Sequence, residues 1–168
     1  MAELNFKTLE IELKNGVVEV SLLPDIAPKH VERIGRLAKE GLYDNVAFHR
    51  VIDGFMAQTG DVEFGNVEKG WDKTRAGTGS STESNLPAEF SKLPFDRGTL
   101  GMARAQDPNS ANSQFFIMFE DGHFLNGQYT VFGRVTKGMD FVDKIIRGDK
   151  ADNGSVDNPD IMIKVKVK

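Results

Sequence analysis

Few residues in this chain could do chemistry, and spacing dismisses most of their arrangements. There is no cysteine, which excludes disulfides, thiolate zinc sites and a cysteine nucleophile. The three histidines, His30, His49 and His123, match no metal-ligand spacing. His30 falls in the first turn of a helical stretch and His123 in an Asp121-Gly122 turn, and both read as surface residues. Asp149-Lys150-Ala151-Asp152-Asn153-Gly154, with Asp160 in the twelfth place, has the outline of a calcium loop. Its third position, Ala151, offers no side-chain oxygen and its last is not Glu, so a turn is the better reading. Gly77-Thr78-Gly79-Ser80-Ser81 lacks the lysine and following helix of a P-loop. Asn153-Gly154-Ser155 is a glycosylation sequon by letter only, and no Gly-x-Ser-x-Gly elbow occurs. No cofactor and no metal is expected.

The positive signal is the run Phe48-His49-Arg50-Val51-Ile52-Asp53-Gly54-Phe55-Met56-Ala57-Gln58-Thr59-Gly60-Asp61. As a strand it puts Phe48, Arg50 and Ile52 on one side and His49 and Val51 on the other. After an Asp53-Gly54 turn, Phe55, Met56 and Gln58 return beside Arg50. A cation and an amide then lie over an apolar floor. On spacing alone, a core hairpin with one surface arginine is the first reading of this run, and a binding site the second.

The elements that must position these residues are legible in outline. Asn15-Gly16 is a strong hairpin signal, because a type I′ turn needs two residues that tolerate positive φ. Folding about it pairs Leu13 with Val18, Ile11 with Val20 and Leu9 with Leu22, with Glu10, Glu12 and Glu19 on the opposite face. Pro28 suits the first position of a helix, Val31, Ile34, Leu37 and Ala38 supply its apolar stripe, and Gly41 its stop. Met139, Val142, Ile145 and Ile146 mark a second helix between Gly138 and Gly148. Short β-like runs lie at Ala47–Val51, Thr99–Ala103, Gln114–Phe119 and Tyr129–Arg134, and the alternating run from Ile161 to Lys168 closes the chain. Two glycine- and serine-rich stretches, Gly60–Ser84 and Gly148–Asp160, read as ordered surface loops.

Composition narrows the class. The 168 residues are the length of one domain, here spanning 1–168, and a chain of that size buries a core without staples. A net charge of −4 argues against nucleic acid. Lys14, Lys29, Arg33, Arg36 and Lys39 scatter among acids and read as a solvated face. The N-terminus carries two acids and no long apolar run, unlike a signal peptide, and no stretch approaches a membrane span. These features, with the absence of thiols, lead to the expectation of a soluble, cytoplasmic, monomeric protein. Twelve phenylalanines and seventeen glycines point to a turn-rich, Phe-filled β architecture.

The run FHRVIDGFMAQTGD resembles the central signature of the cyclophilin family of peptidyl-prolyl cis–trans isomerases. GTLGMARA at 98–105, NSQFFIMF at 112–119 and FLNGQYTVFGRV at 124–135 continue the likeness in order. The resemblance implies an all-β-dominated fold, a closed eight-stranded antiparallel barrel capped by two helices, with the substrate groove on its outer face. It places the key arginine on Arg50 and the supporting glutamine on Gln58. The proline pocket falls on Phe55, Met56, Phe116 and Leu125. The strand holding substrate backbone falls on Ala103, Arg104 and Ala105, with Gln114 nearby. Phe124 and Tyr129 complete the rim, and Gly77 matches a loop position.

Three departures stand out. Arg104 replaces a common asparagine, Tyr129 a common histidine, and Phe124 the tryptophan of cyclosporin-sensitive members. With the NLPAEF segment at 85–90, these resemble bacterial members. Weak cyclosporin binding is the corresponding expectation. The implied partners are proline-containing peptides and unfolded or flexible client proteins, and the implied role is assistance to protein folding. Two other classes compete: a non-catalytic proline-peptide binding module or chaperone, and a small-molecule carrier in a hollow barrel. The intact Arg50, Phe55, Gln58 and Phe116 favour catalysis over binding alone, and the phenylalanine content argues against a hollow interior.

Overall fold

The computed structural model describes residues 6–168. Its first hairpin, β1 (Thr8–Leu13) and β2 (Gly16–Leu22), buries Leu9, Ile11, Leu13, Val18, Val20 and Leu22 as the alternation requires. The register, however, is two residues away from that of the sequence reading. Ile11 faces Val18 and Leu9 faces Val20, so Lys14 and Asn15 make the turn. A shift of two preserves the apolar face, whereas a shift of one would turn it to solvent. Tertiary packing decides the matter: a Cβ on Gly16 would come within 2.5 Å of the Phe141 ring. That glycine lies in the strand beneath Phe141, and the turn moves back by one residue.

β1 also pairs with β10 (Lys164–Val167), and β2 with β8 (Val131–Lys137). Beyond β8 follow β6 (Thr99–Met102), β7 (Phe115–Met118), β5 (Met56–Thr59) and β4 (Arg50–Ile52). The eight form one sheet in the order β10-β1-β2-β8-β6-β7-β5-β4. The expected closed barrel is not what the hydrogen bonds describe. The sheet is open, with β10 and β4 as its edges. Its edge strands are each interrupted: β3 (Val46–Ala47) stops at Phe48 before β4 begins, and β9 (Ile161–Met162) stops at Ile163 before β10. The Phe48 amide donates to Asp160 O and the Ile163 amide to Glu12 O, so neither residue continues a regular ladder. Among the described residues the strand ladder that links the two sides is the two-residue pairing of β3 with β9.

Inside the curved sheet Phe48, Phe115, Phe119 and Phe132 are fully enclosed, so the interior is packed rather than hollow. α1 (Pro28–Lys39) begins at Pro28, buries Val31, Ile34, Leu37 and Ala38, and packs against β10. Gly41 ends it at φ +76°, where a side chain would be strained. Two residues expected at the surface of this helix are buried instead. Arg33 donates to the Asn112 and Ser84 carbonyls. His30 meets Glu89, whose carboxylate also accepts from the Lys29 and His30 amides. No side chain caps α1 from its own N-terminal side, so Glu89 satisfies the unpaired amides and the positive end of the helix from a distant segment. α2 (Met139–Val142) is a single turn, shorter than its apolar spacing suggested. Arg147 Nη1 donates to the Asp143 and Ile145 carbonyls, and the Ile146 amide to Asp160 Oδ2, which draws the chain out of helical pairing. Ile145 is buried but Ile146 is exposed. No helix among the described residues is long and apolar enough to cross a membrane.

Candidate active site

The outer face of the sheet carries a second apolar cluster, separate from the interior. Met56, Phe95, Phe116, Met118, Leu125 and Val131 form it, with Phe55, Ala103 and Tyr129 packed partly buried at its margin. The register explains how Arg50 reaches this cluster. Arg50 on β4 faces Gln58 on β5, Gln58 faces Phe116 on β7, and Phe116 faces Gly101 on β6. Neighbouring strands are ~4.8 Å apart, so these residues form one row across the sheet. A Cβ on Gly101 would come 2.6 Å from Phe116 Cζ, so only glycine leaves room for that ring. Ile52, Met56 and Met118 form the next row.

Arg50 is fixed from two sides. Nη1 donates to Gln58 Oε1 at 3.0 Å, Nε to the Asn153 carbonyl at 3.1 Å and Nη2 to Asn153 Oδ1 at 3.1 Å. Gln58 in turn donates to Gln114 Oε1, and Gln114 to the Gly79 carbonyl, both at 3.0 Å. Burial lowers the Arg50 pKa from its ordinary value, but an arginine remains a cation at neutral pH. Asn153 is a residue that the sequence reading missed; it was counted only in a failed calcium loop and a nominal sequon. Its left-handed backbone, φ 53°, is a conformation asparagine tolerates, and an Asn-Gly pair late in a loop was the one available sign.

The remaining residues come from three directions. Phe55 follows the turn at Gly54 (φ +74°), and its ring lies 5.5 Å from that of Phe124. Phe124 and Leu125 sit on a 3₁₀ turn, His123–Leu125, and Phe124 is 68% exposed. Tyr129 stands edge-on to Phe116 at 5.9 Å and carries the Arg104 guanidinium 4.5 Å above its ring. Gly77 is set by Asp61, a fully buried carboxylate that accepts from the Gly77 and Gly79 amides through one oxygen and from Glu63 and Phe64 through the other. Asp61 thus ties the start of the 60–84 loop to its Gly77–Gly79 stretch.

Of the residues singled out from sequence, Arg50, Phe55, Met56, Gln58, Gly77, Ala103, Arg104, Phe116, Phe124, Leu125 and Tyr129 line a single open cavity of about 930 Å³. Ala105 and Gln114 do not; they line an adjoining hollow of about 330 Å³. His49 reaches the cavity wall but is buried, and burial, reinforced by the Arg50 charge, pushes its pKa down to about 4. It is neutral at pH 7. His123 is exposed and pairs with Asp96. A rigid cation beside an apolar hollow suits a reaction that makes and breaks no bond to the protein.

Comparison with known proteins gives this geometry its family. The model of the cyclophilin type peptidyl-prolyl cis-trans isomerase/CLD family matches residues 8–167. A probable peptidyl-prolyl cis-trans isomerase of Brucella suis is 64% identical over 161 residues, covering 96% of this chain and 82% of that protein. Peptidyl-prolyl cis-trans isomerase B of Escherichia coli is 40% identical over 140 residues, covering 78% and 79%. Among solved structures, a cyclophilin-type isomerase of Cryptosporidium parvum crystallised in the presence of the dipeptide Ala-Pro superposes with a TM-score of 0.80 at 28% identity, covering 96% of this chain and 99% of that one. Cyclophilin AquaCyp293 from Hirschia baltica gives 0.78 at 25% identity, covering 96% and 75%. The chain belongs to the cyclophilin-type peptidyl-prolyl cis–trans isomerase family, and its activity is rotation about Xaa-Pro bonds.

Proposed function

We propose that Arg50 is the catalytic residue of this isomerase and that the outer apolar cluster is its proline pocket. The observation that carries the reading is the double hold on the guanidinium, by Gln58 and Asn153, beside Phe55, Met56, Phe116 and Leu125. Rotation about a peptide C–N bond meets a barrier of ~18–20 kcal/mol because resonance must be broken. Uncatalysed Xaa-Pro exchange therefore takes tens to hundreds of seconds. Reaching roughly 10²–10³ s⁻¹ requires a reduction of about 5–7 kcal/mol.

In the twisted amide the nitrogen regains its lone pair, and a guanidinium can donate to it or hold the adjacent carbonyl. A charge-assisted hydrogen bond contributes roughly 1.5–3 kcal/mol. The rest comes from clamping the proline ring while the preceding residue turns, which favours the twisted form over either planar one. Gln58 orients Arg50, Ala103, Arg104 and Ala105 hold substrate backbone, and Gly77, Gln114, Phe124 and Tyr129 shape the margins. The substrates are prolyl segments of incompletely folded or flexible proteins. The crystallisation of the Cryptosporidium protein in the presence of Ala-Pro supports the proline preference. Cyclosporin binds weakly, because Phe124 has no N–H to donate where the drug-sensitive members have an indole. Phe124→Trp tightens that binding by about 5- to 150-fold in calorimetry.

Exchange spectroscopy on an Ala-Pro peptide tests the central reading. The wild-type protein broadens and exchanges the cis and trans signals, and Arg50→Ala does not. Equal exchange with both proteins would remove Arg50 from the mechanism.

A further inference from the structure

The cavity carries a charge opposite to that of the molecule around it. The chain has a net charge of −4, but the charged residues lining the cavity are Arg50, Lys73, Arg104 and a single acid, Asp152. Lys73 is paired with Asp157. Among the described residues the two arginines have no acidic partner, and every acceptor of their hydrogen bonds is a neutral oxygen. Arg50 binds only Gln58 and Asn153. Arg104 donates through Nε and Nη2 to the Gln128 carbonyl at 3.2 and 2.7 Å, and through Nη1 to the Ala105 and Ala-flanking Gln106 carbonyls at 2.9 and 3.2 Å.

Arg104 is therefore rigid without being neutralised. Its guanidinium is pinned over the Tyr129 ring, and one N–H of Nη2 has no acceptor among the described residues. The side-chain freedom that binding would otherwise remove is already gone, so its charge acts on a ligand at little entropic cost. The adjoining hollow adds no competing charge. Its lining, apart from Arg104, is made of amides, hydroxyls, alanines and glycines.

We propose that this isomerase selects prolyl segments bearing a carboxylate within two residues of the proline, and that Arg104 supplies the selecting charge. The proposal rests on the reading of the cavity as the substrate groove. At separations of ~6–8 Å in a solvated groove, one unpaired cation favours an anionic over a cationic side chain by about tenfold. The preference weakens as salt shortens the screening length.

The test uses Ala-, Glu- and Lys-substituted prolyl peptides, with the substitution at each of the two positions before and after the proline. Exchange rates give kcat/KM for each. At one position or more, the Glu peptide exceeds the Lys peptide by about tenfold at 20 mM salt, and by less than threefold at 500 mM. Arg104→Gln reduces the ratio to within twofold, and Arg104→Lys, which keeps the charge but not the fork over Tyr129, retains most of it. Ratios within twofold at every position, or a ratio unchanged in Arg104→Gln, overturn the charge proposal while leaving the Arg50 mechanism standing. Failure of the wild type to turn over even the Ala peptides overturns the groove reading and this proposal with it.

Discussion

β5 and β7 present alternate residues of the same short segments to two different environments. On the inner face, Phe115 packs edge-on against Tyr43 at 5.5 Å and Phe132 at 5.7 Å, and Ile117 and Ala57 fill in beside them. The Tyr43 hydroxyl is itself satisfied, donating to the Ser113 carbonyl at 2.7 Å. On the outer face, Phe116 stacks on Phe95 and Met56 packs beside Met118, but the cluster ends in a half-open Phe55 and an exposed Phe124. The inner face has a protein partner for every apolar surface. The outer face leaves Phe55 and Phe124 partly without one, on the side where the proposed pocket opens. Stability and binding are thus separated by nothing more than the two-residue period of a strand.

That separation can be broken at either face. Phe115→Ala removes the centre of the inner cluster and costs about 3–5 kcal/mol, measurable by denaturant unfolding, and a loss under 1 kcal/mol would mean that the inner face does not carry the fold. Acid attacks stability through His49, which is buried at the cavity wall. Its folded pKa, about 4, lies below the unfolded value of ~6.5, so the unfolded chain binds a proton that the folded chain refuses. Stability is then flat above pH 7 and falls as pH drops from 6.5 towards 4, by on the order of 3 kcal/mol. His49→Gln should remove that part of the slope in unfolding curves taken across this range. His30, also lowered chiefly by burial, acts in the same direction.

The outer face responds in rate rather than stability. Arg50→Ala lowers kcat/KM about 100-fold, equivalent to ~2.7 kcal/mol of transition-state stabilisation, with cooperative unfolding retained. Between pH 6 and 9 the wild-type rate stays level, since Arg50 remains charged and His49 neutral throughout. Asn153→Gly is the finest probe. It keeps the left-handed backbone and the carbonyl acceptor but removes the side chain, and Oδ1 is the side-chain atom that accepts from Arg50, so kcat falls about 5- to 10-fold while KM holds. Asn153→Asp, which retains an acceptor at that atom, restores most of the loss. A KM effect in place of the kcat effect would place Asn153 in substrate contact and not in the positioning of Arg50.

The alternation of apolar residues made both faces legible in the sequence, and one contiguous run supplied Arg50, Phe55, Met56 and Gln58. Phe116, Leu125 and the rim came through the family resemblance. What pattern could not supply was partnership across distance. Asn153 lies 103 residues from Arg50, and Glu89 lies 59 residues from the His30 amide it accepts. Arg33 looked solvated because arginine usually is, but carbonyls of two loops sit where its fork can reach them. The hairpin register failed for a related reason. The turn chemistry of Asn15-Gly16 was sound locally, and a ring on α2 overrode it.

The loop that grips Arg50 has another effect. β4 is an edge of the sheet, where free backbone amides and carbonyls would invite a further strand. The Val51 amide donates to the Gly154 carbonyl and the Val51 carbonyl accepts from the Gly148 amide, each at 2.8 Å. The opposite edge strand, β10, alternates the exposed lysines Lys164 and Lys166 with its apolar residues. An extended peptide can add itself to just such an edge as a further strand. By closing β4 with its own loop, the molecule satisfies the edge beside its own cavity and offers no free ladder there to an extended prolyl segment.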